Sequence, residues 1–252
     1  MVLGGAPVDL RQREDVVAAV DERLRGVGPA VPLAIASANL DHVHHFGRGG
    51  RAVADMDPAG ASPQWLVLLD GTPVVRRASQ LAGRAWPQLA GSDLLPLLLA
   101  TAQDDQATVG FLGGTAEMHA LLLPVLAQRY PRLSVAGCWA PPRADLADPA
   151  TAALLADQVR EAKVDLLVVG LGKPRQESWI QVHAEASGAK VLLAFGAATD
   201  FLAGTVSRAP EWARRGGAEW LYRFALEPRR MARRYLVQGP PAMWRLWRDS
   251  GW

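Results

Sequence analysis

Two short polar turns hold the densest chemistry in this sequence: Gly172-Lys173-Pro174-Arg175-Gln176-Glu177 and Gly196-Ala197-Ala198-Thr199-Asp200. Each follows or closes an apolar run of strand length, Leu166–Leu171 and Val191–Phe195. If the two runs are parallel strands, both turns face the carboxyl edge of a sheet, where ligands of open α/β proteins bind. Asp70 offers a different chemistry. It ends another apolar run and precedes Gly71. A carboxylate there can take a proton from an attacking hydroxyl, or it can simply form an Asp-Gly turn. Asn39, two residues after Ser37, reads equally as a helix cap or as a hydrogen-bonding group for a polar ligand. Gly113-Gly114 ahead of a helix would let backbone amides approach a phosphate. The G-x-G-x-x-G spacing of a dinucleotide fingerprint is absent, which disfavours a dehydrogenase.

The elements that must position these residues alternate along the chain. Strands are expected at Val31–Ala36, Trp65–Leu69, Thr108–Leu112 and Leu133–Gly137, followed by the two runs above. Helices are expected from Asp9, as a cap, to Arg25, from Pro73 to Leu81, from Ser92, as a cap, to Gln103, from Thr115, as a cap, to Arg129, over Pro149–Ala162 and over Gln176–Glu185. This alternation predicts an α/β, Rossmann-like, mostly parallel sheet with helices on both faces. Residues 1–8 read as disordered, and Arg48–Pro63, rich in Gly, Ala, Asp and Pro, as a mobile loop.

Totals narrow the classes. The 252 residues suffice for one large α/β domain, alone or with an appendage. No apolar run reaches the length of a membrane span, and no secretory signal pattern is expected at the N-terminus. One cysteine, Cys138, excludes an internal disulfide and a cysteine-built metal site, which suits the cytoplasm. Asp55-Met56-Asp57 resembles a metal-holding Asp-x-Asp, but in a loose loop it reads as a solvated charge pair. His42, His44 and His45 have no second ligand cluster and read as cap-adjacent or surface residues.

Net charge is +2, unevenly distributed. Residues 205–252 hold ten Arg and four acids, a net of +6, and five of the nine Trp. Helices are expected at Glu211–Arg223 and Pro228–Leu236, with Gly239-Pro240-Pro241 breaking the chain before Trp244–Trp247. Two units follow: a Rossmann-like catalytic domain over 1–204 and an Arg/Trp-rich helical appendage over 205–252. Arg223, Arg230 and Arg233 can share a helix face. Such a face can be merely solvated, can grip phosphate or can lie on an anionic membrane. No nucleic-acid motif is present and the body is acidic, so no nucleic-acid partner is expected.

Taken in order, the strings resemble the WecG/TagA/CpsF glycosyltransferases, glycosyltransferase family 26. They are Ser37-Ala38-Asn39, Asp70-Gly71, Gly91-Ser92-Asp93-Leu94, Phe111-Leu112-Gly113-Gly114, Gly172-Lys173-Pro174-Arg175-Gln176-Glu177, Ala198-Thr199-Asp200-Phe201-Leu202-Ala203-Gly204, Arg208-Ala209-Pro210, Glu219-Trp220-Leu221-Tyr222-Arg223 and Glu227-Pro228-Arg229-Arg230. The resemblance runs from about Leu33 to Leu236. It implies an inverting transfer of a sugar, N-acetylmannosamine-type or another hexose, from a UDP-sugar to a polyprenyl-diphosphate-linked sugar. That transfer would serve cell-surface polysaccharide or teichoic acid synthesis at the inner face of the cell membrane, with no metal or other cofactor.

Residue by residue, the resemblance implies a base at Asp70 and polar active-site groups at Ser37, Asn39 and Gln176. It places the donor against Asp200, beside the amide-rich turns at Gly113, Gly114 and Gly172, and the acceptor diphosphate on Arg223, Arg230 and Arg233. The expected partners are therefore the UDP-sugar, the lipid-linked acceptor and the membrane surface, with a homo-oligomer left open. Ser37 stands where the family usually has Thr, Leu69 where it has Pro, and Ala198-Thr199 where it has a small–aromatic pair, so donor identity is not carried over. The alternative is a non-catalytic nucleotide-binding module that docks on membrane or nucleic acid through its basic tail.

Overall fold

The computed structural model describes residues 1–53, 56–57, 62–206 and 232–252, with the backbone alone for 233–235. The first eight residues are ordered, contrary to expectation. They form a hairpin, β1 (Val2–Leu3) with β2 (Ala6–Pro7). Val2 exchanges backbone hydrogen bonds with Gly251 at 2.9 and 3.0 Å, and Leu3 is fully buried. A local reading sees a Gly-Gly pair and a proline in a short segment and cannot see a partner almost the whole chain away. The next helix, α1 (Arg13–Leu24), starts later than expected. Asp9 does not cap it: its carboxylate accepts from the Val67 amide at 2.8 Å and so stitches the chain to the sheet.

The remaining elements alternate as expected. They are β3 (Leu33–Ala38), α2 (Leu40–Phe46), β4 (Gln64–Leu69), α3 (Thr72–Ala82), α4 (Gly91–Asp104), β5 (Thr108–Gly113), α5 (Ala116–Arg129), β6 (Ser134–Trp139), α6 (Pro149–Glu161), β7 (Leu166–Gly170), α7 (Arg175–Ser187), β8 (Val191–Ala194) and α8 (Gly196–Ala203). Strands β3 to β8 form one sheet in the order β4-β3-β8-β7-β5-β6, with every neighbouring pair parallel. Central strands buried on both faces need no polar alternation, which is why β3 reads Leu-Ala-Ile-Ala-Ser-Ala and is buried throughout. Along it, Ala34 and Ala36 face a core shared with α2, α3, α6 and α7, while Leu33 and Ile35 face one shared with α1, α4, α5 and α8.

This order creates the crevice. The chain leaves β3 outward to β4 on one side and β5 outward to β6 on the other, and β7 and β8 fill the middle. The turns leading away in opposite directions leave a gap above the carboxyl ends of the central strands.

A π-helical turn, Arg233–Gln238, leads into α9 (Gly239–Arg248). Gly239-Pro240-Pro241, expected as a break, instead opens this helix. Proline in a first turn loses no hydrogen bond there and brings a helical φ. Ala242 and Leu246 are fully buried in the core that also holds Leu3, Val43 and Val74. Of the expected tail helices, Glu211–Arg223 and the start of Pro228–Leu236 lie outside the described residues. No described helix is long and apolar enough to cross a membrane.

Candidate active site

A cavity of about 1160 Å³ opens at the carboxyl edge of the sheet. Ser37, Asn39, Asp70, Gln176, Gly113, Gly114, Gly172 and Asp200 all border it. They come from the carboxyl ends of β3 and β5 and from the turns and helix starts that follow β3, β4, β5, β7 and β8. Arg223 and Arg230 lie outside the described residues, and Arg233 belongs to the π-helical turn whose last residue, Gln238, reaches the cavity rim.

Asp70 stands at the end of β4, partly exposed. Its Oδ2 lies 3.4 Å from Asn39 Nδ2 and its Oδ1 accepts from Gln88 Nε2 at 3.2 Å. Asn39 answers both sequence readings at once. Its Oδ1 caps α2 through the His42 amide at 3.1 Å, and its amide nitrogen faces Asp70. Gln88 gave no signal in the sequence. It is placed by Leu89, whose amide bonds to the Leu69 carbonyl at 2.7 Å.

The Gly172–Glu177 turn is built on a buried charge network. Lys173 Nζ donates to the Ser37 carbonyl at 3.1 Å and to Glu177 Oε1, and it lies 3.3 Å from His42 Nδ1. Its side chain is 9% exposed and that of Glu177 is fully buried. Burial, then the Lys173 and His45 charges, hold His42 well below the ordinary imidazole range, so it is neutral and can accept from Lys173. The lysine therefore ties β3, α2 and α7 together beneath the site. Gln176 is almost wholly buried. Its Nε2 donates to the Ala194 carbonyl at 2.7 Å and to Glu177 Oε1 at 3.2 Å. Its Oε1 has no partner among the described residues and sits 2.9 Å from where a Cβ on Gly196 would be. That oxygen is a buried acceptor left without a described donor. No described group bonds to the Ser37 hydroxyl, which also borders the cavity.

The opposite wall is made of helix starts. Gly113 has φ 104°, and a Cβ there would meet the Gly170 carbonyl oxygen at 2.4 Å, so only glycine lets β5 and β7 stay this close at their ends. Thr115 caps α5 through the Met118 amide at 3.2 Å, as expected. Helices α7 and α8 begin at the cavity with no side-chain cap, leaving amide-rich ends suited to an anion. Thr199 turns its hydroxyl back to the Gly196 carbonyl at 2.9 Å and is buried, so Ala198 and Asp200 border the cavity instead.

Three further features belong to the site's surroundings. Asp41 and His45 form a 3.6 Å pair on the rim. Arg143, after β6, and Arg175, at the start of α7, also border the cavity. His119, buried behind the Gly113-Gly114 turn, is held below its ordinary range by burial, against the opposing hydrogen bond to the Gly113 backbone. Asp55 lies outside the described residues. Asp57 donates its amide to Gln181 Oε1 at 3.1 Å.

The sequence profile of the glycosyl transferase WecG/TagA/CpsF family matches residues 1–251. The chain belongs to this family. Similar proteins include the N-acetylglucosaminyldiphosphoundecaprenol N-acetyl-beta-D-mannosaminyltransferases of Staphylococcus aureus strains MRSA252, NCTC 8325 / PS 47 and COL. Each is 30% identical over 167 residues, which is 66% of this chain and 63% of the relative. The matched stretch thus spans less than two thirds of those relatives. The resemblance carried by the ordered strings, and the parallel α/β architecture, both hold.

Proposed function

We propose that this chain is an inverting glycosyltransferase. It moves a hexose, such as N-acetylmannosamine, from a UDP-sugar to a polyprenyl-diphosphate-linked sugar in cell-surface polymer synthesis. Asp70 accepts the proton of the acceptor hydroxyl while that oxygen attacks the anomeric carbon opposite the UDP. The bond to UDP breaks and its electrons leave with the diphosphate. Amide-rich helix starts and arginine side chains offset the growing charge in place of a divalent ion. Arg223, Arg230 and Arg233 hold the acceptor diphosphate.

The observation that carries this reading is the placement of Asp70. Its carboxylate is oriented by Asn39 and Gln88 at the border of a cavity also lined by the glycine-containing turns after β5, β7 and β8. A pure binding module has no use for a carboxylate held in that position. Work on the inner membrane face is supported by the exposed Trp244, Trp247 and Trp252, at 58%, 49% and 80%, with Arg248 over Trp244 and Arg77 over Trp247.

UDP release from a panel of UDP-sugars, with a polyprenyl-diphosphate-linked acceptor, tests the proposal. Asp70→Asn should lower turnover by about 10²–10⁴ while UDP binding persists, and turnover should survive EDTA. Retained turnover in Asp70→Asn removes Asp70 from its role.

A further inference from the structure

The two arginines on the cavity lining have a use that follows from their place in the sheet. We propose that Arg143 and Arg175 form the subsite for the donor diphosphate, so that the nucleotide sugar lies along the sheet edge with its sugar toward Asp70 and its nucleoside toward β6. This rests on the donor reading above and adds a polarity to it.

The strand order sets the direction. Asp70 follows β4 at one edge, Arg175 follows β7, and Arg143 follows β6 at the other edge. With neighbouring strands about 4.8 Å apart, β7 lies roughly 14 Å from β4 and β6 roughly 24 Å from it. A sugar whose anomeric carbon is within reach of a hydroxyl bound at Asp70 sits above β3 and β8. The diphosphate joined to that carbon then falls over β7 and β5, and the nucleoside beyond it. The reverse orientation would put the reacting carbon away from the carboxylate that Asn39 and Gln88 orient.

The side chains are prepared for an anion. Arg175 is fixed by its own turn: its Nε and Nη2 donate to the Leu171 carbonyl at 3.2 and 2.9 Å. Nη2 lies 3.5 Å from where a Cβ on Gly172 would be, so the guanidinium rests against the Gly172 turn. Arg143 is exposed on the turn after β6. Neither arginine forms an ion pair with a described carboxylate. Glu117, which also borders the cavity, is held by its own backbone and by Thr115. Burial, and then the charge of Arg143, hold the Arg175 guanidinium below its ordinary value. Two cations that border one cavity without a described carboxylate partner can be bridged by an anion between them. A guanidinium pair matches phosphate oxygens bidentately. Lys173, the other cation in this turn, is already spent on Glu177.

Titration calorimetry of the full chain with UDP and with uridine separates the phosphate contacts from the base contacts. Arg143→Ala and Arg175→Ala are each expected to weaken UDP about tenfold or more, with uridine unchanged within about twofold. Arg143→Ala, on an exposed turn, keeps the test sound should Arg175→Ala unfold. Unchanged UDP affinity in Arg143→Ala overturns the assignment. So does an equal loss of UDP and uridine. A rise in KM for the lipid acceptor with intact UDP affinity reassigns the pair to the acceptor and also overturns it. In these three cases wild-type UDP-sugar turnover still stands, so the donor reading survives. Wild-type protein with no affinity for UDP ends both.

Discussion

Asn39 joins a helix cap to the proposed base. One side-chain oxygen holds the first turn of α2 through the His42 amide at 3.1 Å, and the nitrogen of the same amide lies 3.4 Å from Asp70 Oδ2. The orientation of the carboxylate is therefore coupled to the start of a helix whose His42 ring also contacts Lys173.

That coupling can be cut at one end. Asn39→Asp keeps a capping oxygen but replaces the donor facing Asp70 with a like charge, which disfavours the ionised carboxylate. The variant should fold normally by circular dichroism. The acid limb of its kcat/KM profile should move to higher pH by roughly one unit, because the base must be deprotonated to act. An unmoved limb would show that Asn39 serves only as a cap.

Beneath the site, the Lys173–Glu177 pair should be expensive to break and cheap to replace as a whole. Lys173→Met leaves a fully buried carboxylate without its cation, and urea unfolding should show a loss of about 3–5 kcal/mol. Adding Glu177→Leu should recover much of it. If the single variant costs nothing, the pair is not what holds the Gly172–Glu177 turn.

Stability should also fall in acid through His42. Its folded pKa lies well below the ordinary 6.5, so the unfolded chain takes up the proton first. The contribution is whole above about pH 6.5 and is lost as pH falls below it, at up to about 1.4 kcal/mol per pH unit. His119 and His183, also lowered mainly by burial, add in the same direction. His42→Gln keeps an acceptor for Lys173 but cannot be protonated. Its denaturation midpoint should depend less on pH between 7 and 5 than that of the wild type.

Gly113→Ala should fail at the turn where β5 meets the cavity. The residue would take φ 104° and press a methyl against the Gly170 carbonyl. Strain of this kind costs about 1–3 kcal/mol before any clash, visible as a lower thermal midpoint together with weaker UDP binding. A variant with the wild-type midpoint would contradict the close approach of β5 and β7.

The exposed tryptophans of the C-terminal region should matter for lipid and not for folding. Replacing Trp244, Trp247 and Trp252 with Ala should reduce sedimentation with anionic vesicles several-fold while leaving the melting temperature within a few degrees. Their exposure, with Leu246 carrying the buried contact on the same helix, predicts that separation.

The sequence by itself determined the class of fold and the rim of the site. Uninterrupted apolar runs such as Val191–Ala194 need cover on both faces, and their alternation with helices leaves a parallel sheet as the arrangement that buries them. Polar residues at the ends of those runs, Asn39, Asp70, Gln176 and Asp200, then fall at one edge by the geometry of parallel strands. Tertiary structure alone decided the rest. Nothing local to Met1–Pro7 shows that it pairs with Gly251, or that Asp9 bonds to β4 instead of capping a helix. Strand order set Asp70 at one end of the crevice and Arg143 at the other, and placed Gln88 against the carboxylate. These contacts join residues far apart in the chain, and their energy exists only once the intervening loops have closed, so no short window of sequence carries their signal.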